Sequence, residues 1–215
     1  MVIDRIVVLG FPRSGTNLLT RLLARYFDGP NKPTWDGMGV HHLVRKIHWE
    51  YQFADGSAGI EGTEYKTVHI VRDPRDVAVS GWFYYCKTEK ITFSEFLHGP
   101  FSNGFFDGTC GWREHTESCI ARNDTIEIQY ERLCLHRVSA LIHLGLAIAN
   151  FSDLACARYA VELSHGERRK SYCSDRQVAA GTSEWRDIFD TSSIRFFKRR
   201  MGDVMERLGY TWPTG

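Results

Sequence analysis

Residues 5–23 read RIVVLGFPRSGTNLLTRLL, and this stretch decides the fold. Arg5–Leu9 is a short β-branched run stopped by Gly10, the pattern of a buried strand in a parallel sheet. From Thr16 onward, Leu18, Leu19, Leu22, Leu23 and Tyr26 recur at helical spacing. Between them lies the loop Gly10-Phe-Pro-Arg-Ser-Gly-Thr-Asn17. Its glycines let the backbone turn tightly, so that successive N–H groups point at one anion. The helix that follows adds the partial positive charge of its N-terminus.

The glycine spacing is that of a Walker A loop, but two of that motif's working residues are missing. Thr16 stands where Walker A has its lysine, and Asn17 stands where it has the magnesium-binding Ser or Thr. A loop without both is poorly equipped for magnesium-ATP. Its positive charge lies further forward, on Arg13, which suits an anion of fewer charges and no metal.

Further along the chain, Lys66–Val71 reads as a second strand ending at Arg72. The carboxyl end of a parallel strand is where α/β sheets place ligands. Asp73 is an N-cap, Pro74 takes the first helical position, and Asp76 falls in the first turn. Ser80 lies two turns into that helix, about 10 Å along its axis. An arginine fork and a hydroxyl can together hold a phosphate. The ordinary alternative is that Arg72 pairs with a cap-region aspartate while Ser80 packs inside its helix.

A weaker strand covers Leu43–His48, and Thr125–Gln129 is a further short one. Thr92-Phe-Ser-Glu95 has capping-box spacing and starts a helix. Helices are expected at 134–149, at 153–164 with Ser152 as cap, and at 192–208 before Gly209. Segments 28–39, 55–63 and 165–185 read as irregular. Strands alternating with helices predict an α/β fold, three layers α/β/α around a central parallel sheet. With no repeat or linker, residues 1–215 read as one domain.

The loop and the segment Arg72-Asp-Pro-Arg-Asp-Val-Ala-Val-Ser80 together resemble the PAPS-dependent sulfotransferases, whose donor is 3′-phosphoadenosine 5′-phosphosulfate. The family's cytosolic branch has Pro-Lys-Ser-Gly-Thr-Thr-Trp in its loop; here Arg13 replaces the lysine and Asn17-Leu18 replace Thr-Trp. Phe93–Leu97, Gly111-Trp-Arg-Glu-His115, Ile128–Glu131 and Gly181–Phe189 are similar to further segments of the family. The resemblance implies a P-loop sulfotransferase fold in a compact version, with PAP as the product. It implies that Pro12, Arg13, Ser14, Gly15, Thr16 and Asn17 hold the 5′-phosphosulfate, and that Arg72 and Ser80 hold the 3′-phosphate. It places Tyr130, Ser164 and His165 near the adenine. A closing segment that includes Gly181 would bring Arg169, Lys170 or Arg176 over the 3′-phosphate, and Arg176 is the residue carried forward.

A hydroxyl nucleophile needs a base that titrates near neutral pH, which points to histidine. Lys46-Ile-His48 resembles the family's Lys-Thr-His, making His48 the base, with Lys46 assisting the leaving group. His41 and His42 compete for the role, and Glu50 is a lesser candidate. Arg13, Ser14 and the loop N–H groups would stabilise the charge that builds on the donor oxygens. The alternatives are a P-loop small-molecule kinase and a non-catalytic nucleotide-binding module.

The net charge of +1, from 27 basic and 26 acidic residues, argues against a general nucleic-acid binder. Six cysteines form neither CxxC nor a Cys/His cluster of zinc spacing, so they read as free thiols and no metal is expected. The longest apolar stretch, Ala140 to Phe151, is too short for a membrane span and contains His143. No signal peptide is visible, so the chain is expected to be soluble and cytoplasmic. Its acceptor is expected to be a small molecule. Trp35, Trp49, Trp82, Phe83, Tyr84 and Phe105 are candidates to line the acceptor pocket, although such aromatics are more often core. The oligomeric state cannot be read from the sequence.

Overall fold

The computed structural model describes residues 5–28, 44–47, 65–86, 91–98, 111–168 and 185–212. Its strands are β1 (Arg5–Leu9), β2 (Val44–Ile47), β3 (Tyr65–Val71) and β4 (Thr125–Gln129). They form one parallel sheet in the order β2-β1-β3-β4. The helices are α1 (Thr16–Asp28), α2 (Pro74–Tyr85), α3 (Phe93–His98), α4 (Trp112–Ile120), α5 (Tyr130–Leu135), α6 (Arg137–Ala149), α7 (Leu154–Arg168), α8 (Trp185–Ile188) and α9 (Thr191–Arg207).

β1 is an interior strand covered on both faces. Ile6, Val7, Val8 and Leu9 are each no more than 1% exposed, which explains its unbroken apolar run. Alternate side chains go to opposite faces. Ile6, Val8, Val68 and Ile70 pack with Leu19, Leu22 and Leu23 of α1, and with α6 and α7. The opposite face forms a second core, where Phe11 and Val71 meet Val77, Phe96, Trp112, Phe197 and Met205 from α2, α3, α4 and α9. The three-layer α/β/α arrangement expected from the alternation of elements is the one observed.

Local signals placed several helix starts correctly. Asp73 accepts from the Arg75 N–H at 2.9 Å, with Pro74 at the first helical position. The Thr92–Glu95 capping box closes in both directions, at 2.7 and 3.2 Å. Other expectations need correction. Asp153, not Ser152, caps α7, because its Oδ1 accepts the Cys156 N–H at 2.9 Å. α7 runs to Arg168, past the expected end at 164. The helix expected at 134–149 is two helices meeting at His136, whose backbone turns to φ −131 and ψ 47. The His136 N–H still closes α5 on the Arg132 carbonyl, while its own carbonyl opens α6 by accepting from the Ala140 N–H. α4 was not expected as a helix. Among the described residues no helix is long and apolar enough to cross a membrane.

Candidate active site

β1 delivers the glycine loop to the carboxyl edge of the sheet. The Ser14 N–H donates to the Phe11 carbonyl at 3.0 Å, and the Leu19 N–H to the Gly15 carbonyl at 3.1 Å. Arg13 and Gly15 have φ of 70° and 93°, so left-handed residues alternate along the loop. Such alternation turns successive N–H groups toward one concavity, a nest for an anion. Gly15 is required twice over. Its φ disfavours any side chain, and a Cβ there would overlap the Tyr130 ring.

The second element reaches the same place. Arg13 Nε donates to Ser80 Oγ at 3.2 Å, joining loop and α2. The Arg13 guanidinium also lies 4.2 Å from the centre of the Tyr84 ring. Arg72 donates from NH1 to the Arg13 carbonyl at 3.0 Å, and its Cζ sits 4.5 Å over the ring of Tyr130. Arg13, Arg72, Ser80, Gly15 and Tyr130 are therefore one cluster. Ser14 Oγ and Arg72 Nε are buried there without a hydrogen-bond partner among the described residues. A buried donor left in that state costs about 1–3 kcal/mol, which an anion accepting from both would remove.

Asp73 does not pair with Arg72. It takes Arg75 instead, with Arg75 Nε at 2.8 Å and NH2 at 2.6 Å from its two oxygens. The Arg75 guanidinium is flanked by Trp185 at 4.1 Å and Trp212 at 4.6 Å, and NH1 donates to the Thr211 carbonyl. Glu131 accepts from the Asp73 N–H and from the Tyr210 hydroxyl, both at 3.0 Å. Burial raises the Glu131 carboxyl above its ordinary range, against the pull of those hydrogen bonds. Arg72 is thus freed from its neighbours' carboxylates and held by backbone and aromatic contacts.

Other expected site residues are placed as follows. Thr16 is buried against Gly10, and its carbonyl accepts from the Thr20 hydroxyl. Pro12 is half-buried, and Asn17 is exposed on the first turn of α1. Ser164 is on α7, where its hydroxyl donates to the Val161 carbonyl at 2.7 Å. His165 follows it on the same helix. Lys46 is in β2 opposite Val8, and Ile47, opposite Leu9, ends that strand. His48, His41, His42, Glu50, Arg169, Lys170, Arg176 and Gly181 lie outside the described residues, as do Trp35, Trp49 and Phe105. Trp82 and Phe83 pack against the second core, while Tyr84 is 56% exposed beside Arg13.

One cluster was not anticipated. His69 of β3, and His115 and Cys119 of α4, bring their ligand-type atoms within 4.8 Å of one another. Cys119 Sγ is 4.0 Å from His115 Nδ1, and His69 Nδ1 is 3.7 Å from Glu127 Oε2. Burial opposes charge on His69, yet Cys119 and Glu127 raise it to about 9. Burial likewise opposes the Cys119 thiolate, but His115 and His69 bring it down to about 6. The only signal in the sequence was the four-residue step from His115 to Cys119, which puts both on one helix face.

Comparison with known proteins adds a family and a fold. The sulfotransferase domain family matches residues 3–135. No curated protein matches the sequence. Among solved structures, the chain is similar to a mouse sulfotransferase complexed with PAP, at 18% identity and a TM-score of 0.72, covering 97% of this chain and 89% of that one. It is also similar to retinol dehydratase in complex with androsterone and inactive cofactor PAP, at 15% identity and a TM-score of 0.64, covering 99% and 84%. A putative steroid sulphotransferase of Arabidopsis thaliana matches at 16% identity and a TM-score of 0.57, covering 98% and 79%.

Proposed function

Because this chain belongs to the sulfotransferase family, we propose that it transfers a sulfuryl group from PAPS to a hydroxyl or amine of a small-molecule acceptor, releasing PAP. The observation that carries this reading is the junction of two anion-binding elements. Arg13 of the loop contacts Ser80, and Arg72 contacts the loop backbone. A nucleotide with phosphate at both its 5′ and 3′ positions uses both elements, whereas ATP has no 3′-phosphate. The partnerless Ser14 Oγ and Arg72 Nε fit such a ligand.

PAPS supplies the sulfuryl group; the chain supplies orientation, charge and a base. Pro12 to Asn17 cradle the 5′ side through backbone N–H groups, Ser14 and the α1 N-terminus. Arg72 and Ser80 take the 3′-phosphate, and Tyr130 offers a ring for the adenine. Ser164, His165, Gly181 and Arg176 complete the nucleotide site. His48 accepts the acceptor's proton as its oxygen or nitrogen bonds to sulfur, and Lys46 and Arg13 stabilise the leaving oxygen. Residues 1–215 act as one catalytic domain. Sulfuryl transfer by this route requires no metal.

Calorimetry with PAP and with magnesium-ATP tests the donor assignment. PAP is expected to bind and magnesium-ATP to bind far more weakly; tight ATP binding with none for PAP would overturn the reading. Transfer is then followed with radiolabelled PAPS against a panel of acceptors. The androsterone bound by retinol dehydratase makes apolar alcohols the first to assay.

A further inference from the structure

We propose that His69, His115 and Cys119 form a binding site for one zinc-class divalent transition-metal ion, separate from the nucleotide site. The site is assembled by the fold. On β3, Val68 and Ile70 belong to the core with α1, so His69 between them faces the α4 side. α4 presents His115 and Cys119 one turn apart, and parallel pairing of β3 with β4 sets Glu127 opposite His69.

The donors match the ion. Two imidazoles and a thiolate favour zinc and its neighbours over magnesium or calcium. In a tetrahedral site with ordinary zinc bond lengths, sulfur and nitrogen ligands lie about 3.5 Å apart. Cys119 Sγ and His115 Nδ1 are at 4.0 Å, so a rotamer adjustment of about half an ångström closes that edge. Glu127 Oε2 lies 3.7 Å from His69 Nδ1, within a small shift of accepting from it, so that Nε2 would be the nitrogen offered to the ion, as in a carboxylate–histidine–metal arrangement. His69 is 1% exposed, and its Nδ1 lies just beyond direct hydrogen-bond distance of Glu127 until that small shift is made. The Cys119–His115 contact, at 4.0 Å, is at the outer limit for a hydrogen bond to sulfur. His115 is half-buried, which leaves a path for the ion and for a water as fourth ligand.

The ion would be structural. His115 stands 5.9 Å from the Phe11 ring, and His69 precedes Arg72 by three residues. A bound metal would brace β3 against α4 beneath the loop without touching the reacting atoms.

Cobalt(II) titration of the full chain, stripped by chelator, is the test. The expected result is a near-ultraviolet thiolate-to-cobalt band and visible four-coordinate bands, saturating at one cobalt per chain and abolished by zinc. Cys119→Ser should remove the near-ultraviolet band, while Cys134→Ser keeps it. Glu127→Gln should fold and weaken cobalt binding about tenfold. Zinc should raise the melting temperature of the wild type and not that of His69→Gln. If Cys119→Ser fails to fold, the Glu127→Gln and zinc-melting results decide. Absence of a saturable band, a band that survives Cys119→Ser, or unchanged cobalt affinity in Glu127→Gln together with no zinc-dependent melting shift would overturn the assignment.

Discussion

Arg13 and Ser80, 67 positions apart in sequence, are joined by a hydrogen bond of 3.2 Å that ties the glycine loop to the second turn of α2. Removing the Ser80 hydroxyl should therefore affect the ligand more than the fold. Ser80→Ala is expected to weaken PAP binding roughly tenfold or more, since hydrogen bonds to charged groups contribute about 1.5–3 kcal/mol. Urea unfolding should move by less than about 1 kcal/mol. Calorimetry with PAP, read beside the unfolding curve, checks both halves; unchanged PAP affinity would remove Ser80 from the site.

Gly15→Ala tests the loop geometry. The substitution forces a side chain into φ 93° and against the Tyr130 ring. A strained left-handed residue costs about 1–3 kcal/mol, so thermal melting should fall by several degrees and PAP binding should be lost. Wild-type PAP affinity in this variant would contradict the role given to the nest.

Arg75→Leu should be the most damaging single change to stability near the site. It leaves the buried Asp73 carboxylate without its cation and removes the guanidinium that packs on Trp185 and Trp212. Breaking a buried pair from one side costs about 3–5 kcal/mol. Arg75→Lys should recover only part of this, because a lysine cannot make the two-pronged contact or stack on the indoles. Denaturant unfolding of the two variants ranks them.

Asp190 gives a pH test with a definite sign. It caps α9, and the Ser193 N–H, then the hydroxyls of Ser193 and Ser192, lower its carboxyl from 3.8 to about 2. A depressed folded-state value means the contribution is present above pH 3.8 and fades as pH falls through about 2. Asp190→Ala should lose about 1 kcal/mol at neutral pH, the usual cost of an N-cap. The gap between wild type and variant should close toward pH 2. A gap that is constant down to that pH would show that the carboxylate is not the capping group.

His48→Ala tests the base. Turnover is expected to drop about 10²–10⁴-fold while PAP binding is retained. Full turnover would transfer the role to His41, His42 or Glu50.

What the sequence made readable was mostly local. The Gly10–Gly15 loop, the Asp73-Pro74 helix start and the Thr92–Glu95 box are each decided within a few residues, by φ preference or by a side chain reaching its own backbone. The convergence of Arg13, Arg72 and Ser80 could be anticipated because strand ends and helix starts in a parallel sheet share one edge. Longer-range features could not. The break at His136 lies inside a continuous apolar pattern, and Asp153 displaced Ser152 as cap by a single position. Arg75 against Trp185 and Trp212, and His69 beside Cys119, depend on sheet register and helix docking, which no nearby residue encodes.

The packing of Arg75 on two touching indoles has an optical consequence. Two indoles lie against a cation that is two residues from Asp73 and three from Arg72, so occupancy of the nucleotide site is expected to change tryptophan emission. Trp185 follows directly on the stretch expected to cover the nucleotide, and Trp212 is near the carboxyl terminus. A change in emission on adding PAP that is lost in Trp185→Phe would follow donor exchange in real time, with no label on either the chain or the nucleotide.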